Sequence, residues 1–162
     1  MRGVRVAGVG LAVSALLALA AGDALAQRQP PYWASIAAGK ARMRAGPGRN
    51  FPASWLYQRA DLPTKVIATY PNWRKIEDPD GTQGWMQANL LSEDRTAIVT
   101  GAIRPLRATP DRGAHIVWRA EPGVVGKISD CEDGWCRLDV KGRAGYIEAG
   151  HIWGVESDEE LP

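Results

Sequence analysis

The run NWRKIEDPDGTQGWM at residues 72–86 returns in altered form as GWCRLDVKGRAGYI at residues 134–147. In each copy a tryptophan opens a short strand-like run, a turn sequence follows, and a second strand-like run contains a triplet of glycine, aromatic and apolar residue. The turn sequences are DPDG at 78–81 and VKGR at 140–143, each with a glycine of the kind that tight turns favour. Each copy is therefore predicted to form an antiparallel β-hairpin.

The similarity extends beyond this hairpin. Met43-Arg44-Ala45 matches Leu106-Arg107-Ala108, and Lys65-Val66 matches Lys127-Ile128. The offset between the copies shortens by one position at a time along the chain, as expected when small insertions and deletions lie in loops. The chain therefore contains two copies of a unit of about 60 residues.

Within each copy, short strand-like runs alternate with turn sequences, and no helical periodicity of useful length occurs. In the first copy we predict strands at about 40–44, 64–69, 73–78 and 83–87. A unit of about 60 residues cannot build two full sheets, so each copy is predicted to be a small five-stranded barrel with one long loop after its first strand. The predicted fold class is all-β.

The long loop of the first copy, MRAGPGRNFPASW at 43–55, combines glycines with arginines, as phosphate-binding loops do. Such a loop is followed by a helix whose N-terminus faces the anion, and no helical pattern follows here. The second copy replaces both glycines but keeps the proline between them. We therefore assign these residues to the turn itself, where glycine allows positive φ and proline fixes the bend. The loop-forming residues are Gly46, Pro47, Gly48 and Pro110.

Residues 1–26 have the features of a secretory signal peptide: a basic start, an apolar run, and small residues at Ala24 and Ala26 before the predicted cut. The apolar run is shorter than a bilayer span, which disfavours a membrane anchor. The rest of the chain has nearly equal numbers of basic and acidic side chains. Arg42, Arg44 and Arg49 cluster, but acidic residues in the same half offset them, so no footprint for nucleic acid exists. We expect an exported protein, periplasmic or extracellular, with no membrane partner after cleavage.

We divide the chain into a signal peptide (1–26), an N-terminal extension (27–36), a first domain (37–100), a second domain (101–155) and an acidic tail (156–162). The tail, ESDEELP, is expected to be solvated and disordered because it is highly charged. All seven tryptophans follow the predicted cut. Rings of this size fill cores that would otherwise be thin.

Cys131 and Cys136 are the only cysteines, and they flank the turn EDGW. Antiparallel strands on either side of that turn would bring their Cβ atoms close together. After an export signal, such a pair is most simply a structural disulfide. A metal site would need further ligands at matching spacing, and a redox pair would favour two intervening residues.

Four motifs then carry a family resemblance: R-x-G-P opens the long loop, N-W-R-K-I or G-W-C-R-L opens the central strand, G-x-x-G-W/Y lies at the distal hairpin, and LL or IW closes each copy. With these motifs the chain resembles the bacterial SH3-like domain over residues 37–155. It also resembles a family of exported proteins with two such domains. The resemblance implies two tandem small SH3-like β-barrels. Tyr146 departs from the family, which usually has Trp there.

The sequence contains no nucleophile elbow, no zinc-peptidase motif and no four-ligand metal spacing. His115 and His151 lie at unmatched places in the second copy, and both cysteines are expected to be paired. We therefore predict no catalytic residues, no metal and no cofactor.

By resemblance, SH3-like barrels bind peptides in a groove between the long loop and the loop before the central strand, where aromatic rings form shelves. For Trp73 and Trp135, the sequence leaves a groove position and a core position equally open, while Trp85 and Tyr146 are assigned to the core. The candidate ligand-binding residues are Trp55, Tyr57, Tyr70, Trp73, Trp118 and Trp135.

The functional prediction is a non-catalytic, exported binding module. By resemblance, its ligand is a cell-wall peptide or glycan-peptide, or a periplasmic protein. The alternatives are a periplasmic assembly factor or enzyme inhibitor that acts through protein surfaces, and a minimal hydrolase, for which the two repeats leave little room.

Overall fold

The computed structural model describes residues 28–162, and the predicted signal peptide lies outside them. These residues form two antiparallel β-sheets with two short 3-10 turns, Ala88–Leu90 and Ala149–His151, and no α-helix. Within this part of the chain, no helix is long and apolar enough to cross a membrane. The predicted all-β fold of two tandem units is confirmed.

The first sheet, which we call barrel 1, has the strand order β3-β2-β6-β5-β4-β1-β7. Its strands are β1 (Tyr32–Ile36), β2 (Ala41–Arg44), β3 (Ala53–Tyr57), β4 (Pro63–Tyr70), β5 (Trp73–Glu77), β6 (Gln83–Gln87) and β7 (Leu91–Ser92).

The second sheet, barrel 2, has the order β10-β9-β13-β12-β11-β8-β14. Its strands are β8 (Thr96–Val99), β9 (Arg104–Arg107), β10 (Ile116–Ala120), β11 (Val125–Glu132), β12 (Trp135–Val140), β13 (Arg143–Glu148) and β14 (Ile152–Trp153). Matching each strand to the one seven places earlier gives the order of barrel 1. The predicted repeat is therefore a repeat of the whole topology.

The four predicted strands of the first copy correspond to β2, β4, β5 and β6, each within one residue at either end. The prediction of five strands is wrong, because each sheet has seven. Strand β3 lies in the segment predicted as a long loop, and it pairs back on β2. Strand β1 lies in the predicted N-terminal extension, and it pairs with β4 from Tyr32↔Val66 to Ser35↔Pro63. Strand β1 is therefore a neighbour of β4 in the sheet, although no local sequence pattern predicts that pairing.

Each barrel has its own apolar core. Ile36, Met43 and Met86 are fully buried in barrel 1, and Leu106, Leu138 and Ile147 are fully buried in barrel 2. Side chains alternate between the two faces of a strand. This alternation decides which aromatic rings reach the core.

The assignment of Trp85 and Tyr146 to the core is wrong. Gly84 and Met86 are buried, so Trp85 between them lies half-buried on the outer face. Tyr146 lies in the same way between two buried residues of β13. The backbone of β6 comes so close to β2 that a Cβ on Gly84 would lie 2.4 Å from Met43 Cγ. Glycine is therefore required there by the close approach.

The predicted disulfide between Cys131 and Cys136 is present, and it joins β11 to β12 with both cysteines buried. The prediction of a disordered tail is wrong. Leu161 exchanges two backbone hydrogen bonds of 3.0 Å with Cys131, and Asp130 N–H donates to the Pro162 carbonyl over 3.0 Å. The tail is ordered because it adds an extended segment to β11.

The two barrels contact each other directly. The rings of Trp33 and Trp153 meet edge to face, with centroids 4.7 Å apart. The Lys65 ammonium lies over the Trp33 ring and makes a 2.7 Å ion pair with Glu156. Arg59 of barrel 1 also donates to the Gly123 carbonyl of barrel 2 over 2.8 Å. The barrels are therefore held by packing as well as by the linker.

Candidate functional site: the groove of barrel 1

An outer face of barrel 1 lies between the β2–β3 loop and the two-residue turn that joins β4 to β5. Residues that pair directly across neighbouring strands present their side chains on the same face. Arg44 pairs with Trp85, and Trp85 pairs with Lys75. We call this face the barrel-1 groove.

An aromatic pair forms the centre of the barrel-1 groove. Tyr70, the last residue of β4, meets Trp85 edge to face at a centroid distance of 6.5 Å. The Tyr70 side chain is 56% exposed and Trp85 is half-buried. Edge-to-face packing holds both rings in place while leaving apolar surface open to a ligand. We call Tyr70 and Trp85 the aromatic shelf.

Trp73, the first residue of β5, is a neighbour of the shelf in the strand register. It pairs with Tyr70 on one side and with Gln87 on the other, which places it on the groove face. It is nevertheless only 8% exposed and lies outside the main apolar cluster of barrel 1. Trp73 therefore offers a ligand little surface.

Arg44 connects the shelf to the β2–β3 loop. Its Nη1 donates to the Phe51 carbonyl over 2.7 Å. The Phe51 ring in turn packs on the loop backbone, where a Cβ on Gly46 would lie 2.5 Å from two ring carbons. Neither Gly46 nor Gly48 has a positive φ, so the predicted reason for these glycines is wrong. Position 46 requires glycine because a side chain there would clash with the Phe51 ring.

A cleft of about 370 Å³ continues the groove along β2. Arg42 and Arg44 both project from the outer face of β2, and Lys40 precedes them. Three neutral side chains complete the lining: Leu56, Gln87 and Leu90. We call this the cationic cleft.

Three of the six predicted ligand-binding residues lie on the opposite face of the β2–β3 hairpin or of its counterpart in barrel 2. Trp55 pairs with the buried Met43, and its ring is 58% exposed beyond the edge of the sheet. Trp118 pairs with the buried Leu106 and packs against the core of barrel 2. Neither ring lies on the groove face.

Tyr57 is the third of these residues, and it is buried. Its hydroxyl donates to Asp78 Oδ2 over 2.8 Å. Burial, followed by this hydrogen bond, raises the pKa of Tyr57 well above its usual value. The contact joins β3 to the β5–β6 turn, so Tyr57 has a packing role.

The equivalent groove of barrel 2 contains Trp135 and Tyr146, both half-buried on one face of the sheet. Arg112 in the β9–β10 loop makes a two-point contact with Glu148, with Nε to Oε1 at 3.2 Å and Nη2 to Oε2 at 2.6 Å. These hydrogen bonds hold the pKa of the Glu148 carboxyl below its usual value. The ion pair closes one side of this groove.

The chain's own residues 160–162 line the other side of the barrel-2 groove. A cavity of about 540 Å³ there is bounded by Pro110, Tyr146 and Leu161, together with acidic residues at 130, 132 and 160. The two grooves therefore differ in charge. Barrel 1 offers cations beside an open aromatic shelf, and barrel 2 offers carboxylates beside a docked segment.

The sequence prediction missed Trp85, Gln87 and the three cations of the cleft as groove residues. The alternation along β6 carried the signal for Trp85 and Gln87, because Met86 between them is apolar. The same period of two places Arg42 and Arg44 together on β2. The size of the Trp85 ring favours a core position when the alternation is not considered.

A family model described as a bacterial SH3 domain matches residues 37–93 and residues 101–154. The chain belongs to the bacterial SH3 domain family. The two matches correspond to barrel 1 and barrel 2. Bacterial SH3 domains are binding modules that are generally non-catalytic, and they bind peptidoglycan or proteins.

No curated protein matches the chain. Solved structures similar to these bacterial SH3 domains include NlpC1 and NlpC2 from Trichomonas vaginalis. NlpC1 is 17% identical, with a TM-score of 0.33 over 78% of this chain and 46% of its own. NlpC2 is 16% identical, with a TM-score of 0.34 over 77% of this chain and 48% of its own. The chain spans about half the length of these two proteins.

Proposed function

We propose that this chain is an exported, non-catalytic binding module that holds a peptide or glycan-peptide of the cell wall in the barrel-1 groove. The observation that supports this most directly is the aromatic shelf. Tyr70 and Trp85 present ring surface to solvent beside Arg44, whose guanidinium is held in place by the Phe51 carbonyl. Rings beside a fixed donor suit a ligand with apolar or sugar faces and polar ends.

The state of the cysteines supports a binding role over hydrolysis. A hydrolase of the Cys-His type needs a free thiolate. Cys131 and Cys136 are instead joined to each other and buried. The disulfide also fits the expected export, because such bonds persist in oxidising compartments.

The contrast between the two grooves supports barrel 1 as the working site. The barrel-2 groove is bridged by Arg112 and Glu148 and is bounded by residues 160–162. A ligand there would have to displace contacts that the chain makes with itself. The barrel-1 shelf needs no such displacement, because the Tyr70 ring is already exposed.

Co-sedimentation with insoluble, protein-free cell wall tests the proposal. We expect the wild-type chain to sediment with the wall and Tyr70→Ala to remain largely in solution, because the variant loses half of the shelf. Trp55→Ala is the matched control, since it removes an equally exposed ring from the other face of the hairpin. Circular dichroism of each variant verifies folding.

Equal sedimentation of folded Tyr70→Ala and wild type would show that the shelf is not the site. If the wild type does not sediment at all, the wall is not the ligand. In that case a periplasmic protein partner becomes the explanation for the exposed shelf, and pull-down from periplasmic extract with the same two variants is the next measurement.

A further inference from the structure

The cationic cleft carries an inference about which ligand the barrel-1 groove selects. Lys40, Arg42 and Arg44 lie along one side of it. Alternate residues of a strand are about 6.5–7 Å apart, so the two arginines form a row of that spacing. This row continues directly into the aromatic shelf, because Arg44 pairs with Trp85.

The positive charges of this row are not neutralised by neighbours. Within residues 28–162, neither Lys40 nor Arg42 has a side-chain hydrogen bond or an ion pair. Arg44 uses one N–H on the Phe51 carbonyl, and a guanidinium has five. By contrast, several other cations each contact a carboxylate: Lys65, Arg95, Arg112 and Lys127.

The second barrel shows which of these cations the fold itself requires. Arg107, which matches Arg44, donates to the Ala114 carbonyl just as Arg44 donates to Phe51. That arginine therefore belongs to the loop architecture of both barrels. Lys40 and Arg42 are matched by Ile103 and Pro105. A barrel of the same topology thus forms without these two cations.

We infer that the barrel-1 groove is selective for a peptide that bears carboxylates, with Lys40 and Arg42 reading the charges and the aromatic shelf holding the neighbouring apolar or sugar surface. This inference rests on the proposed function and names the chemistry of its ligand. Carboxylates on alternate residues of an extended peptide have a spacing that matches Lys40 and Arg42, which are likewise two positions apart in the sequence. Gln87 in the same cleft has an amide that both donates and accepts, as a peptide backbone requires.

The experiment compares two forms of the same insoluble wall. One is intact, and in the other the peptide carboxylates have been converted to neutral amides with carbodiimide and ammonia. The proteins are the full chain, the double variant Lys40→Gln with Arg42→Gln, and the control Arg119→Gln. Arg119 is an exposed cation in barrel 2, at the position that matches Leu56, with no ion pair in residues 28–162.

We expect the double variant to bind intact wall roughly tenfold more weakly than wild type, the loss expected for two solvent-screened charge pairs. Wild type should show a similar loss on the amidated wall, where the double variant should lose much less, because only Arg44 of the row remains in it. Arg119→Gln should behave as wild type on both. The wild-type affinity for intact wall should also fall with added salt, and that of the double variant should fall less.

Equal binding of wild type and double variant to intact wall would overturn the inference. If Tyr70→Ala still fails to bind under those conditions, the proposed function stands without the charge selectivity. If wild type binds intact and amidated wall equally, carboxylates are not recognised and the inference is also wrong. Failure of the wild type to bind either wall would remove the proposed function together with the inference.

Discussion

Replacing Tyr57 with Phe tests how much the buried contact with Asp78 stabilises barrel 1. The Tyr57 hydroxyl donates to Asp78 Oδ2 over 2.8 Å, and Oδ1 accepts from the backbone N–H groups of Asp80 and Thr82 at 3.1 and 2.9 Å. Phe keeps the packing of the ring and removes the donor from a buried carboxylate. A hydrogen bond to a charged group contributes about 1.5–3 kcal/mol. We therefore expect the free energy of unfolding to fall by about 2 kcal/mol.

Urea denaturation followed by tryptophan fluorescence measures this change. With a denaturant slope of about 2 kcal/mol/M, the midpoint should fall by about 1 M. Amide hydrogen exchange should also become faster at Thr82, whose N–H donates to Asp78. Tyr70→Phe is the matched control, because its hydroxyl has no hydrogen bond within residues 28–162 and its ring is exposed. Equal midpoints for Tyr57→Phe and Tyr70→Phe would refute the assignment of a stabilising role to this contact.

Three further outcomes follow from packing and charge. Burial raises the pKa of Glu159, but hydrogen bonds from Arg95 and from the Glu156 N–H, with the Arg95 charge, outweigh it and lower the pKa. The stabilisation of the docked tail by the ionised Glu159 carboxylate is therefore complete above about pH 4.5 and is lost as the pH falls through the lowered pKa. Amide exchange at Leu161 measures this loss. Gly84→Ala should cost about 1–3 kcal/mol by crowding Met43, measured as a lower urea midpoint. Reduction of the disulfide, which closes a short loop, should cost about 2 kcal/mol or less and leave the β-sheet circular dichroism signal intact.

The strands of the central hairpin could be predicted because their signals are local. Trp73, the turn at 78–81 and the triplet ending at Met86 lie close together in the sequence, and the repeat doubles the pattern. Strand β1 could not be predicted in the same way. Its partner residues lie in β4, beyond both β2 and β3 in the sequence. The place of β1 in the sheet therefore depends on this long-range pairing and not on the composition of β1.

The order of the tail could not be predicted for the same physical reason. Four acidic residues in seven predict solvation when only local composition is considered. In the fold, Glu159 contacts Arg95 and Leu161 contacts Cys131. Both partners are far from the tail in the sequence, so the contacts depend on the tertiary fold.

The charge of the groove was hidden by averaging along the chain. Along the sequence, acidic residues such as Asp78 and Asp94 offset the cationic cluster that includes Arg42. The structure separates these charges: Asp78 is buried against Tyr57, and Asp94 lies 3.2 Å from Lys127. The net charge of a sequence segment therefore does not predict the charge of one face of the sheet.

The segment that docks on β11 has a consequence for how copies of this chain meet one another. Strand β8 pairs with β11 only from Val125 to Lys127, so the backbone groups farther along β11 form a sheet edge. Residues 161 and 162 cover that edge at Asp130 and Cys131. A bare strand edge is a template on which a second chain can add a strand. Leu161 and Pro162 occupy the position that an incoming strand would take, so this part of β11 is not open to strand addition while the tail is docked.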